Sequence, residues 1–266
     1  MKEFSQNNIY PVPLERDGIF CMIKKFEPKT RYEKFCYKIL FLLVENSNKT
    51  FICGGTARDI LLNKKLIDFD IATNLTPQEV KKILSDKFSV DRSISMQYSK
   101  FGVVQILFSN NLSIDIATFR TEVYKKASYP DISFTSSYKL DSNRRDFTIN
   151  SLYISPKTGK VIDCQRGLDD LRKKTIRFIG KPSKRISDDP IRIVRALRFA
   201  LQLNFKIEKK SWDKIVFYFL CIKLVSKNKI INEINKTSNY QSKKILTDII
   251  FGAKTLDKVQ NKFYYK

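Results

Sequence analysis

The 266-residue sequence contains no histidine. That absence excludes Ser-His-Asp triads, Cys-His nucleophiles and His-ligated zinc. Cysteine is sparse: Cys21, Cys36, Cys53, Cys164 and Cys221 are widely spaced and form no C-x-x-C pair. An odd, unclustered set excludes a disulfide framework and a thiolate cage, and fits reduced thiols in a cytoplasmic compartment. No apolar run approaches the roughly eighteen residues of a membrane span. The richest, Lys38 to Val44, ends against Glu45, so no membrane partner is expected. Met1 to Asn8 lacks the apolar core of a secretion signal. Acidic residues are the other shortage, 27 Asp and Glu against 50 Lys and Arg, a net charge of +23. About two thirds of that excess lies in residues 166–266. A polyanion is the natural partner for such a segment, nucleic acid above all. A composition simply rich in Lys, Asn and Ile would give the same excess. The chemistry that remains must run on carboxylates, Lys, Arg and hydroxyls, with a hard metal ion where one is needed.

Apolar spacing organises the chain. Residues 1–30, with Pro11, Pro13 and Pro28, read as a lead-in. Phe35, Ile39, Leu42 and Leu43 predict an amphipathic helix from Tyr32 to Val44. Phe51-Ile52-Cys53 predicts a short strand running into Gly54-Gly55, with Thr56 capping a helix that holds Ile60, Leu61 and Leu62. Residues 68–73 predict a second strand. Thr76-Pro77-Gln78-Glu79 is a capping box with proline at the first helical position, followed by Val80, Ile83, Leu84 and Phe88 on one helix face. Gly102 to Phe108 and Ser113 to Phe119 predict an antiparallel hairpin, joined through Ser109 to Leu112. The polar, Ser-rich residues 121–143 read as a mobile loop, 147–154 and 175–179 as strands, and everything after Pro190 as helix. A mixed α/β half thus precedes a more basic helical half.

Three constellations carry chemistry. Asp68 and Asp70 are two apart in a strand, so both carboxylates leave the same face while Phe69 and Ile71 point to the core. Like charges side by side call for a cation between them, and oxygen ligands suit Mg²⁺. Taken alone, the pair also describes a solvated surface. Asp115 lies on the face opposite Ile114 and Ile116, and would join the pair if the two strands are neighbours; a solvent-facing acid is the alternative. Gly54-Gly55 between strand and helix lets backbone approach a phosphate, with Arg58 one turn on, unless it is an ordinary tight turn. Finally, Arg192, Arg195 and Arg198 form a stripe on a helix opened by Asp188-Asp189-Pro190, with Asp189 reaching Arg192. An Asp and an Arg side by side match the donor and acceptor edge of a nucleobase; a solvated basic face with a capping aspartate is the plainer reading.

Phe51 to Thr73, with G-G-x-x-R-D and then D-x-D, resembles the first motif of the class II tRNA nucleotidyltransferase and bacterial poly(A) polymerase family. Arg144-Arg145-Asp146-Phe147-Thr148-Ile149-Asn150-Ser151-Leu152 is similar to the second motif, Asp163 to Leu171 to the third, and Asp188 to Phe205 to the fourth. The resemblance implies an α+β fold: a nucleotidyltransferase palm over residues 31–150, an all-helical neck over 151–210, and a short helical body over 211–266. It implies that Asp68 and Asp70 bind two Mg²⁺ ions; the strand pattern, not the resemblance, adds Asp115 as a third candidate catalytic acid. Gly54, Gly55 and Arg58 would contact the nucleoside triphosphate, and Arg145 and Asp146 the ribose. Asp189 and Arg192 would read the base, with Arg195 and Arg198 nearby. The basic charge of the C-terminal segment nominates Lys209, Lys210 and Lys214 to hold RNA. The implied activity is addition of C and A from CTP and ATP to the 3′ end of tRNA. Poly(A) synthesis, CC-only or A-only addition, and a non-catalytic RNA-binding remnant are the alternatives. Lys100-Phe101-Gly102-Val103-Val104 is closer to the tRNA-adding members. Departures are Asp188 in place of Glu, Arg166 in place of Gly, and a sequence that stops with the family's helical tail missing.

Overall fold

The computed structural model describes residues 28–87, 94–108, 112–252 and 256–264. The lead-in up to residue 27, Phe88 and the 109–111 turn lie outside them. The fold is α+β and divides into two compact units. The first comprises residues 1–121, 132–142 and 150–165; the second comprises 122–131, 143–149 and 166–266.

The first unit opens with α1 (Arg31–Asn46). Thr30 accepts from the Glu33 amide at 3.1 Å and Glu33 Oε2 accepts from the Thr30 amide at 3.2 Å, a reciprocal cap that begins the helix. Its inward stripe, Cys36, Ile39, Leu40 and Leu43, is fully buried, and burial pushes the Cys36 thiol up to about 12. Then follow β1 (Thr50–Cys53), α2 (Gly54–Leu61), β2 (Asp68–Thr73), α3 (Pro77–Lys87), β3 (Ile94–Ser95), β4 (Val103–Leu107) and β5 (Ser113–Thr118). The 76–79 capping box forms as expected, the Thr76 amide donating to Glu79 Oε2 at 2.7 Å. The 103–107 and 113–118 strands pair antiparallel as expected. The chain then runs through β6 (Arg120–Lys126), β7 (Tyr129–Phe134) and α4 (Tyr138–Arg144), of which residues 122–131 and 143–144 belong to the second unit, and returns to the first in β8 (Leu152–Ile154) and β9 (Val161–Asp163). Seven strands make one sheet in the order β3-β4-β5-β2-β1-β8-β9, with β2 and β5 parallel. Phe51, Cys53, Ala72, Phe119 and Tyr153 pack together on it, and the Tyr153 hydroxyl finds Asp141 at 2.7 Å.

Three expectations need correction. Residues 121–143 are not a loop: β6 and β7 pair as a two-stranded ribbon and α4 follows. The ribbon leaves most of both strands partly exposed, so the apolar alternation that marks a half-buried strand is absent. Only 152–154 of the 147–154 run is strand, and only 175–176 of the 175–179 run. Third, the segment after Pro190 is not wholly helical.

The second unit contains α5 (Gly167–Arg172), β10 (Thr175–Ile176), α6 (Pro182–Asp188), α7 (Ile191–Leu203), β11 (Lys206–Ile207), α8 (Lys209–Phe217), α9 (Lys227–Asn235), α10 (Tyr240–Ile250) and α11 (Leu256–Phe263). Asn204, in the left-handed region at φ 55°, ends α7 and lets β11 pair parallel with β10. Its core runs through α7, where Ile193, Val194, Ala196 and Leu197 are fully buried and Phe199 meets Phe147 edge-on. Arg166, which stands where the resembled third motif has glycine, also has a left-handed backbone, φ 62°, a conformation glycine adopts without steric cost. Among the described residues no helix is long and apolar enough to cross a membrane.

Candidate functional site

In the first unit the chemistry gathers where β1 turns into α2. Gly54 takes φ 63°, a conformation open to glycine, and α2 starts there. Thr56 does not cap the helix: the N-cap position is Cys53, which offers no side-chain bond. The cap comes from the neighbouring strand. Asp70 Oδ2 accepts from the Gly55 amide at 2.9 Å and the Thr56 amide at 3.3 Å. These are the unsatisfied donors of a helix N-terminus, and a carboxylate there is favoured by the helix dipole. Thr56 returns the contact, its hydroxyl accepting from the Asp70 amide at 2.7 Å and donating to the Asp68 carbonyl at 3.2 Å. Asp70 is therefore fixed in rotamer, while Asp68, two residues earlier on the same face of β2, is exposed.

Asp115 stands directly beside Asp70 in the parallel β2–β5 register, so the strands are neighbours as the third-carboxylate reading required. Its Oδ1 accepts from Gln105 Nε2 at 2.9 Å, the residue opposite it on β4. Among the described residues no group of three His, Cys, Asp or Glu side chains is arranged to hold a metal ion. The donor set is nonetheless of the right kind. Mg²⁺ is commonly held by one or two carboxylates and completed by water and substrate phosphate, and Asp68 with Asp70 offers such a pair of hard oxygen donors. A Cβ added at Gly55 would lie 3.3 Å from Asp70 Oδ2. Gly55→Ala is expected to displace that carboxylate by a few tenths of an ångström and to lower turnover by roughly tenfold. Steady-state rates beside an unchanged melting curve would check it.

Arg58 is buried. Its Nε and Nη2 form two 2.9 Å bonds to Asp59, and Nη1 donates to Asn150 Oδ1 at 2.7 Å. Asn150, the last polar residue of the second motif before Ser151, was not singled out in the sequence.

In the second unit the arginine stripe is not a solvated face. Arg192 and Arg198 are 5% and 6% exposed, and each arginine has its own partner. Arg195 Nη2 pairs with Asp146 Oδ2 at 2.6 Å, whose Oδ1 accepts from the Phe147 amide at 2.7 Å. Burial alone would depress the Arg195 pKa; the Asp146, Glu233 and Asp189 charges outweigh it and raise it. Arg198 Nε bonds Glu233 at 2.7 Å and its guanidinium lies 4.0 Å from the centre of the Phe199 ring. Arg185 on α6 donates to the main-chain carbonyls of Arg144 and Arg145, and so holds the segment that presents half-buried Arg145 and buried Asp146.

Asp189 and Arg192 do not pair through their side chains. The Arg192 amide donates to the Asp189 carbonyl at 3.1 Å, while the Asp189 carboxylate turns to Ser128 Oγ at 2.7 Å and Lys229 Nζ at 3.2 Å. Arg192 Nη1 donates to the Arg185 carbonyl at 2.8 Å and Nη2 to the Tyr124 hydroxyl at 3.2 Å. Asp189 has an extended backbone as the C-cap of α6, and Pro190 separates it from α7, so the i,i+3 geometry of a continuous helix does not apply. Sequence reasoning missed Tyr124 and Ser128 because their ribbon read as a loop, and missed Lys229 and Glu233 because the contacts are distant in the chain. Lys209, Lys210 and Lys214 are exposed on α8; Lys209 meets Asp213 at 3.2 Å, and Lys214 lies 5.4 Å from the Phe217 ring centre.

Residues 50–177 match the family described as the Poly A polymerase head domain. The CCA-adding enzyme of Enterococcus faecalis is 40% identical over 190 residues, 71% of this chain and 45% of that protein. The CCA-adding enzyme of Streptococcus uberis is 38% identical over 200 residues, 74% of this chain and 47% of that protein. The chain thus spans about half the length of the curated relatives it matches. Among solved structures, the Bacillus stearothermophilus CCA-adding enzyme in complex with CTP superposes with a TM-score of 0.66 at 27% identity, covering 79% of this chain and 49% of that one. The four motifs, the palm sheet and these relatives agree: the chain belongs to the family of class II tRNA nucleotidyltransferases and bacterial poly(A) polymerases, whose members generally use divalent metal ions.

Proposed function

We propose that this chain adds C and A from CTP and ATP to the 3′ terminus of tRNA. The observation that carries this reading is the Asp68–Asp70 pair, with Asp70 fixed by the first amides of α2 inside the matched head domain. In the reaction the RNA 3′-oxygen forms a bond to the α-phosphorus, the bond from that phosphorus to the bridging oxygen breaks, pyrophosphate leaves, and the hydroxyl proton is lost. When bound by Asp68 and Asp70, two Mg²⁺ ions would supply a more acidic 3′-hydroxyl and neutralise charge on the phosphates. Asp115, hydrogen-bonded to Gln105, keeps a further negative charge beside Asp70. Gly54 and Gly55 keep the β1–α2 turn slim for the triphosphate, and Arg58 is held near it by Asp59 and Asn150. Arg145 and Asp146 are assigned to the ribose, Asp189 and Arg192 to the base, with Arg195 and Arg198 buttressing them. These are positioning and electrostatic roles, which is why a chain without histidine can perform them. Among the described residues Cys36, Cys53, Cys164 and Cys221 form no disulfide, which supports a cytoplasmic setting.

The test is extension of a tRNA transcript lacking its 3′ CCA, with CTP, ATP or both, resolved one nucleotide at a time. Addition of C, C and A supports the reading. The description of the matched head domain favours poly(A) synthesis as the second reading, and an unbroken ladder with ATP alone would establish it. Arrest after two additions identifies a CC-only enzyme, a single A added only to a transcript already ending in CC identifies an A-only enzyme, and no pyrophosphate release on either transcript identifies a binding remnant.

RNA affinity is expected to fall steeply with salt, because the basic excess lies mainly in residues 166–266. Each neutralised phosphate contributes roughly 0.7 to 0.9 to the negative log–log slope, so five contacts lose about a hundredfold between 50 and 200 mM salt. Replacing Lys209, Lys210 and Lys214 with Gln should flatten that slope by about two, with less from Lys209 because Asp213 already offsets it. A filter-binding titration across salt concentrations measures both, and a slope unchanged in the triple variant removes α8 from the RNA surface.

A further inference from the structure

The carboxylate of Asp189 is held by two side chains, and one of them belongs to a helix outside all four motifs. Lys229 Nζ lies 3.2 Å from Asp189 Oδ1 and 3.5 Å from Oδ2, and Ser128 Oγ lies 2.7 Å from Oδ1. Both shorter contacts fall on Oδ1. Lys229 is in the first turn of α9, where its amide donates to the capping Ser226. One turn later Glu233 lies on the same face of α9 and forms the buried 2.7 Å pair with Arg198 of α7. The helix that delivers the ammonium is thereby tied at a second point to the helix that carries Arg192.

We propose that Lys229 is a positioning residue that determines base choice by fixing Asp189 as an ionised hydrogen-bond acceptor. The inference rests on the reading of Asp189 as a base-contacting residue. An ionised carboxylate can only accept, so it favours the amino group on the pairing edge of cytosine or adenine and repels the carbonyl oxygen that uracil and guanine present there. Arg192 does not supply the fixing charge, because its donors go to the Arg185 carbonyl and the Tyr124 hydroxyl. Without the ammonium, Asp189 keeps only Ser128 among these two partners. It can then turn on its side-chain bonds, and an acceptor that no longer faces the base edge stops selecting for the amino group there.

The experiment compares Lys229→Met, Lys229→Arg, Asp189→Asn and the Lys229→Met/Asp189→Asn double variant. The measurement is kcat/KM for CTP, ATP, UTP and GTP on tRNA lacking CCA, with folding checked by circular dichroism. Lys229→Gln replaces Lys229→Met if the latter misfolds. In Lys229→Met, discrimination of CTP against UTP should fall about tenfold, with KM for CTP rising more than kcat falls. Lys229→Arg should restore it, and the double variant should discriminate no worse than Asp189→Asn alone. Wild-type discrimination in Lys229→Met beside a loss in Asp189→Asn overturns the proposal and leaves the base-contact reading standing. Additive losses in the double variant also overturn it, because Lys229 would then act on something other than Asp189. Wild-type discrimination in Asp189→Asn overturns the underlying reading itself.

Discussion

Asp68→Asn is expected to lower nucleotide addition on the order of a thousandfold while leaving the melting curve unchanged. Asp68 is exposed at the start of β2, and its removal relieves repulsion from Asp70 two residues on. Asp70→Ala should lose as much activity but behave differently in the fold. Its Oδ2 caps the Gly55 and Thr56 amides, so truncation strands two helix donors and costs about 1–2 kcal/mol. For a protein of this size that corresponds to a fall of about 2–8 °C in Tm. The paired measurement is pyrophosphate release with Mg²⁺ and CTP beside thermal unfolding. Full activity in Asp68→Asn would sink the carboxylate assignment. An unshifted Tm in Asp70→Ala would mean that the helix is not capped from the strand.

Much of this arrangement was legible because it is local. Asp68 and Asp70 share a face through the two-residue period of a strand, and the 76–79 box caps its own helix, so neither needs a distant partner. The cap of α2 was misassigned to Thr56 because the true capping acceptor, the Asp70 carboxylate, lies fourteen residues away, across the β1–β2 pairing. The arginine stripe shows the same limit. Spacing of three places Arg192, Arg195 and Arg198 on one side of α7, but spacing cannot say whether that side meets water. The answer depends on Asp146 and Glu233, which fold back from segments some fifty residues before and thirty-five after. The ribbon at 120–134 was hidden for a third reason: its strands bury little, and without burial no alternation is imposed on the sequence.

Glu233→Gln is expected to destabilise the second unit by about 3 kcal/mol, because it leaves the Arg198 charge buried against a neutral partner. That corresponds to a fall in Tm of about 6–12 °C. The Arg198→Met/Glu233→Leu double variant should recover most of the loss, since removing both charges also removes their desolvation cost. Protonation provides an independent check. Burial alone would raise the Glu233 pKa, but Arg195, Arg198 and Lys236 outweigh it and lower it. A carboxylate with a depressed pKa contributes stability above its unfolded value and loses it as pH falls through the folded value. The gap between wild type and Glu233→Gln should therefore be full near pH 7 and shrink below about pH 4, where the unfolded glutamate begins to take up protons. Denaturant unfolding at a series of pH values measures that gap. A gap that is absent at pH 7, or constant on acidification, would show that Glu233 contributes packing rather than charge. A gap that behaves as expected, with base discrimination reduced in the same variant, would trace the grip on Asp189 to α9 itself, because Glu233 fixes the helix from which Lys229 reaches it.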